Sequence, residues 1–331
     1  MKFTNEDLVK MYKIMVEGKE EAVTYIQSEP FCTGPSYKVT TSNKIELEEK
    51  EISLEDMITE QECLSNDELD SILDELGENF KNGSNIYKSK HREQKYIVLS
   101  DTHIPFQRKK VLQAIEAKFG NKDYDLILCG DILDCHDIST FPKAYSVGFK
   151  QEISIFKDYL KRWAKIFNNV YIISGNHEAR LPMYLRKRVS AEVVEMLPDD
   201  LISYAIRDLG LNNIKYTSGD TVSWYLQIDN VLLCHPRGNV SSGILATAKK
   251  VQEFFSSRGL SANVFISGHT HKMGQATHNG YMLLESGCLC LPQDYAMDGK
   301  VGYTPEASGF VTFTSKNGVV NFNDVKLHYI S

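Results

Sequence analysis

Five short blocks of this 331-residue chain concentrate carboxylates, imidazoles and one carboxamide at spacings suited to holding cations. They are Asp101-Thr-His103, Gly130-Asp131-Ile-Leu-Asp134, Gly175-Asn176-His177-Glu178, His235, and Gly268-His269-Thr-His271. In an extended segment residues i and i+2 face the same way, so Asp101 and His103 can aim an oxygen and a nitrogen at one point, as can His269 and His271. The Asp131 carboxylate can bridge two cations about 3.5 to 4 Å apart, the separation used in two-metal phosphoryl chemistry. A mixed oxygen and nitrogen donor set suits manganese, iron, zinc or a related first-row ion better than calcium or magnesium.

Each block closes an apolar run of strand length: Tyr96 to Leu99, Asp125 to Cys129, Val170 to Ser174, Val231 to Cys234 and Val264 to Ser267. Between them lie helical stretches, the pattern of an α/β fold with a largely buried sheet. Loops leaving the carboxyl ends of strands in an open α/β sheet gather in one crevice, which would bring the five blocks together. Later runs, Thr221 to Ile228, Tyr281 to Leu284, Gly309 to Thr314 and Val319 to Tyr329, alternate without comparable helices between them and predict a second, antiparallel sheet portion.

Taken in order, the five blocks resemble those of the calcineurin-like metallophosphoesterase superfamily, and the resemblance runs from about Tyr96 to the C-terminus. It implies an α/β/β/α sandwich of two packed mixed sheets flanked by helices. It also implies two divalent metal ions, manganese foremost, with iron, zinc or nickel as alternatives. A first metal would be held by Asp101, His103, Asp131 and His271, and a second by Asp131, Asn176, His235 and His269. A hydroxide bridging them would attack phosphorus in line. His177 would protonate or stabilise the leaving alkoxide, with Asp134 orienting it. Gly130, Gly175 and Gly268 fit tight backbone passages beside the metals.

Fold and metals do not choose the substrate in such a superfamily. Protein phosphatases of this type place Arg-Gly after the second block, where this chain has Cys135-His136; Arg180, two residues beyond Gly-Asn-His-Glu, is nevertheless similar to the phosphatase form of the third block. The overall likeness is to uncharacterised phosphoesterases of bacteria and their phages, a group often labelled nuclease-like. Arg180, a candidate substrate contact, could join Arg186, Lys187 and Arg188 in a basic rim along a phosphate backbone, or the latter residues could be a solvated helix face. The leading expectation is phosphodiester hydrolysis in nucleotides or nucleic acid. A phosphomonoesterase acting on protein Ser/Thr or small molecules is the alternative, and a catalytically silent metal-binding scaffold is the alternative of another class. Residues 179–230, with helical stretches at Tyr184 to Met196 and Leu201 to Leu209, are expected to form a substrate-selecting cap.

The front of the chain differs in character. Residues 1–94 carry 11 Lys and Arg against 21 Asp and Glu, a net −10, whereas the remainder carries 26 against 23, a net +3. Helical periodicity at Leu8, Met11, Tyr12 and Met15, and a capping box at Ser65 and Glu68 before Leu69, Ile72, Leu73 and Leu76, predict short helices there. Lys81 to Gln94 reads as a linker, so an acidic helical extension, 1–94, precedes a catalytic domain, 95–331. The extension suits self-association or a protein partner, and its charge disfavours nucleic acid. The seven cysteines are scattered without a Cys-x-x-Cys pair, which predicts reduced thiols. Cys288-Leu-Cys290 would point both sulfurs to one side of a strand, where packing is expected rather than ligation. No run approaches the roughly 20 apolar residues of a membrane span, and no signal peptide is evident, so a cytoplasmic location is expected.

Overall fold

The computed structural model describes residues 85–139, 147–190, 200–207, 209–219, 221–238, 243–292 and 306–330. The predicted N-terminal helices lie outside the described residues. Two six-stranded mixed sheets form the core. One sheet places β2 (Glu93–Leu99), β3 (Tyr124–Cys129), β4 (Val170–Ile173) and β5 (Ile214–Lys215) in parallel, with β11 (Gly309–Lys316) antiparallel to β2 and β12 (Val325–Tyr329) antiparallel to β11 at the edge. The other runs in the order β1 (Ile86–Tyr87), β6 (Tyr225–Ile228), β7 (Val231–Cys234), β8 (Val264–Ser267), β10 (Tyr281–Ser286) and β9 (Met273–His278).

Both faces of the central strands are buried, and the pleat sorts their residues. Tyr96 and Val98 face the interior between the sheets, together with Ile127 and Cys129 of β3 and with Leu226, Leu233, Ile266 and Leu284 of the opposite sheet. Ile97, Leu99, Leu126 and Leu128 face the other way, against α1 (Lys109–Phe119), α2 (Phe149–Ile166) and α4 (Leu201–Arg207). On the outer face of the second sheet, Leu232 and Phe265 pack with Ala248, Val251 and Phe255 of α5 (Ala246–Ser257). Four layers result, helix, sheet, sheet, helix, as the family resemblance implied. Two-sided burial explains why these strands read as unbroken apolar runs rather than alternating ones.

Three expectations change. The five block-bearing runs do not share one sheet: β2, β3 and β4 lie in the first, β7 and β8 in the second. The later runs do not form a separate antiparallel sheet; β6 and β10 join the second sheet, β10 parallel to β8, while β11 and β12 extend the first. Apolar runs buried on both faces look alike whichever sheet they enter, so sequence cannot assign them. Finally, part of the expected linker is built into the sheet. Ile86 and Tyr87 pair with Gln227 and Ile228, and Asn85 donates to the carbonyls of Val222 and Tyr225. Among the described residues no helix is long and apolar enough to cross a membrane.

Candidate metal centre

The five strands end on one side of the sandwich, and the loops that leave them turn abruptly. Asp101, His103, Asp131, His269 and His271 all have positive φ, between 45° and 76°. Left-handed backbone costs a non-glycine residue on the order of 1–3 kcal/mol and persists only where its surroundings over-determine it. Five such residues in one cluster mark a site assembled at the expense of local backbone preference. Gly130, at φ 77°, lies under the His235 ring, and a Cβ there would run into it. A Cβ on Gly175 would strike the Asp131 carboxylate. Both glycines are required by close approach.

All seven expected ligands come together. Asp101, His103 and His271 form one group and Asp131, His235 and His269 another, the donor atoms of each lying within 4.8 Å of one another. In the first group, His271 Nε2 is 3.2 Å from Asp101 Oδ1 and 3.2 Å from His103 Nε2. In the second, His235 Nε2 is 3.2 Å from Asp131 Oδ2 and 3.2 Å from Asn176 Oδ1. Asp131 stands between the groups, for its Oδ2 is also 3.8 Å from His103 Nε2. Its Oδ1 is taken by the backbone N–H of His177 at 2.9 Å, which leaves Oδ2 as the atom facing both. His269 is the outlying member, and its Nε2 donates to the Gly238 carbonyl at 3.0 Å.

The donor chemistry fits cations. His103 Nδ1 donates to Asp134 Oδ1 at 3.0 Å, and His271 Nδ1 donates to Glu306 Oε1 at 3.2 Å. With Nδ1 engaged in each ring, Nε2 is the atom left to face a cation, and the two Nε2 atoms meet beside a buried carboxylate. A divalent ion satisfies all three at once, and a carboxylate behind each imidazole is the usual support of a metal-bound histidine. Burial alone would push the Asp131 carboxyl up, but the neighbouring imidazoles, His177 and His235 foremost, outweigh it and hold that group well below the ordinary range. Burial likewise lowers His235, yet Asp131 and Asp101 raise it to about 9. The carboxylates therefore demand positive charge here.

His177 and Asp134 also meet. His177 Nδ1 donates to the Asp134 carbonyl at 2.8 Å and lies 3.3 Å from its Oδ1, so the Asp134 carboxylate supports His103 and His177 together. Burial would raise Asp134, and its hydrogen bonds from His103 and His177 hold it far below the usual value. Arg180, the first residue of α3 (Arg180–Arg186), reaches in from the side: Nη1 donates to the Asp134 carbonyl at 2.9 Å and Nη2 to His177 Nε2 at 2.7 Å. Arg188 lies over the Tyr184 ring at 4.4 Å.

Two supporting carboxylates were invisible in the sequence as such. Glu178 accepts the backbone N–H groups of Gly175 and Asp131 on one oxygen and of Leu133 on the other, tying the second and third blocks together. Glu152 of α2 accepts the N–H groups of Cys135 and His136. Cys135 and His136 are buried, and burial followed by the charge of Glu152 raises the Cys135 thiol well above its ordinary value. Of the expected cap, residues 191–199 lie outside the described residues. Leu201, Ile202 and Ala205 of α4 are buried in the core cluster with α2, and β5 continues the first sheet, so among the described residues it is α3 that touches the site. His328 stacks on Phe310 at 4.5 Å and plays no part.

A profile of the calcineurin-like phosphoesterase family matches residues 94–273, more than half of the chain. The chain belongs to the calcineurin-like phosphoesterase family. It is accordingly a metal-dependent phosphoester hydrolase using divalent metal ions. Two similar curated proteins are the gene 54 proteins of Mycobacterium phages D29 and L5. The first is 27% identical over 199 residues and the second 25% over 200, each comparison covering 57% of this chain and 73% of the relative. Among solved structures, vacuolar protein sorting 29 from Cryptosporidium parvum is 17% identical, covering 72% of this chain and 98% of that one at a TM-score of 0.38. An archaeal phosphodiesterase is 17% identical, covering 69% and 98%, at 0.36. At such low scores these two likenesses carry no weight for the chemistry.

Proposed function

We propose that this calcineurin-like phosphoesterase is a phosphodiesterase acting on nucleotides or nucleic acid, with the seven converging donors as its metal ligands and His177, Asp134 and Arg180 as its reaction side chains. Asp101, His103, Asp131 and His271 would hold one divalent ion, and Asp131, Asn176, His235 and His269 the other. Bound there, the pair supplies Lewis acidity, an activated water and neutralising charge. The protein's own residues do the rest. Asp134 fixes the His177 ring, whose Nε2 can handle the proton of the leaving oxygen once Arg180 turns from it to a phosphate oxygen. Arg180 donates to that Nε2 and is the guanidinium placed to meet a phosphate oxygen entering beside it.

The observation that supports a diester over a monoester is at Cys135. Where a phosphatase would present a guanidinium to a doubly charged monoester, this chain has a thiol with no exposed surface, its neighbouring amides bound by Glu152. A diester carries one charge fewer and needs one cation fewer. The monoesterase reading draws on Arg180, which could grip a terminal phosphate.

Metal-loaded full-length protein and an Asp131→Asn control would be incubated with an aryl phosphomonoester, a bis-aryl phosphodiester, single- and double-stranded DNA, RNA and cyclic nucleotides. Turnover of diesters above monoesters, lost in the control, is the expected result. Turnover of the monoester alone overturns the diesterase reading, and silence on every substrate with both metals bound leaves the scaffold reading.

A further inference from the structure

Behind His271, on the side away from Asp101, lies a further group of donors, of which the phosphoesterase centre uses only His271. Cys288, Cys290, Glu306 and His271 each offer one ligand atom, and all four atoms lie within 4.8 Å of one another. Neither cysteine has any exposed surface, and the Glu306 side chain is 13% exposed. The sequence explains the pairing of the thiols, since residues i and i+2 of an extended segment share a face. It does not explain Glu306 and His271, which the fold delivers from other segments.

The backbone holds the four residues in place. The Ala307 N–H donates to the His271 carbonyl at 2.8 Å, and the Cys288 N–H to the Ala307 carbonyl at 3.0 Å. Cys288 is bridged to Ser308 and Cys290 to Gln107. Glu306 is thereby fixed beside the extended Cys288-Leu-Cys290 segment from the far end of the connection between β10 and β11. A carboxylate behind a metal-bound imidazole is ordinary support for that imidazole. Two buried thiols converging on the same carboxylate are not needed for that role. Tetrahedral zinc with bonds of about 2.0–2.3 Å sets its ligand atoms roughly 3.3–3.8 Å apart, a spacing small side-chain adjustments reach from within 4.8 Å.

We propose that Cys288, Cys290, Glu306 and His271 Nδ1 form a third metal site, one that takes zinc and is distinct from the phosphoesterase pair. Thiolate ligands select zinc over manganese, whereas the oxygen and nitrogen donors of the catalytic pair include no sulfur at all. Binding releases three protons to solvent, one from each thiol and one from Nδ1, and forms two zinc–sulfur bonds, one zinc–oxygen bond and one zinc–nitrogen bond. His271 then faces two ions, with Nε2 toward the catalytic pair and Nδ1 toward zinc. The zinc joins both ends of the β10–β11 connection next to the active site.

Cobalt(II) reports on this directly, because thiolate-to-cobalt charge transfer absorbs in the near ultraviolet and the catalytic donors include no sulfur. The full-length protein, stripped of metal under reducing conditions, would be titrated with cobalt(II) chloride and, separately, with zinc. About three equivalents bound per chain, with a charge-transfer band, is the expected result; Cys288→Ser and Cys290→Ser lose the band and bind about two. Asp131→Asn keeps the band while binding fewer ions, which guards against a serine variant that fails to fold. A wild-type protein that binds two equivalents and shows no thiolate band overturns the proposal.

Discussion

Arg180 Nη2 lies 2.7 Å from His177 Nε2, and because a guanidinium can only donate, the histidine presents a lone pair to it. The same guanidinium donates to the Asp134 carbonyl, so one residue braces both partners of the leaving-group machinery. Removing it should lower kcat/KM on the best substrate by roughly 10- to 100-fold, in line with about 1.5–3 kcal/mol for a charged hydrogen bond. Arg180→Lys should recover little, since an ammonium lacks the fork that reaches both acceptors. Steady-state kinetics of the two variants decide the matter, and an Arg180→Ala enzyme with wild-type constants would remove Arg180 from the mechanism.

Glu178 offers a different test, one of architecture rather than catalysis. Its carboxylate accepts three buried backbone N–H groups, from Gly175, Asp131 and Leu133, at 2.7, 3.2 and 2.7 Å. Glu178→Ala strands these donors at about 1–3 kcal/mol each, so a loss of at least about 3 kcal/mol is expected in urea unfolding. Metal affinity should fall as well, because Asp131 and Asn176 sit on the loops that Glu178 joins. A variant with unchanged midpoint and unchanged metal content would show that those loops hold themselves.

The contrast between Asp131 and Glu178 shows what was legible in the sequence. Asp131 follows a strand and a glycine, and its role depends on being at a strand end, a local property that a linear pattern records. Glu178 acts through amides 45 and 47 residues away, and nothing in its own neighbourhood marks which donors it will meet. The positive φ values of Asp101, His103 and His271 were equally hidden, since strain at a non-glycine residue is imposed by distant packing. The two-sheet arrangement was implied by family resemblance and not by periodicity, because β3 and β7 bury both faces and read alike. Glu306 and the Cys288–Cys290 pair are separated by 16 residues, and only the fold reveals that they share a space.

Glu152 makes stability depend on pH in a definite direction. Burial, joined by the negative charge of Asp134, raises its folded pKa to about 8 from an ordinary 4.5. Between those values the folded state binds more protons than the unfolded chain, so stability falls as pH rises through that window, by at most about 1.4 kcal/mol per unit. Below about 4.5 the contribution is fully present, and above about 8 it is gone. Glu152→Gln removes this titration, and the difference in unfolding free energy between the variant and the parent should change from pH 5 to pH 8. A constant difference across that range would show that Glu152 is ionised in both states.

Withdrawing the metals should expose the cost built into the centre. Asp101 and Asp131 are buried with at most 2% exposure, and each relies on neighbouring positive charge to remain ionised. Both of them, with His103, His269 and His271, hold left-handed backbone. Cations bind this arrangement only when the chain is folded, so their stabilisation grows as RT ln(1 + [M]/Kd), about 2.7 kcal/mol at 100 times Kd. The melting temperature should therefore climb with added manganese and drop in a chelator. Asp131→Asn should blunt the climb more than Asn176→Ala, because Asp131 Oδ2 faces both donor groups while Asn176 meets one. Identical thermal unfolding in chelator and in millimolar manganese would mean that the converging donors are neutralised by their own histidines and hold no ions.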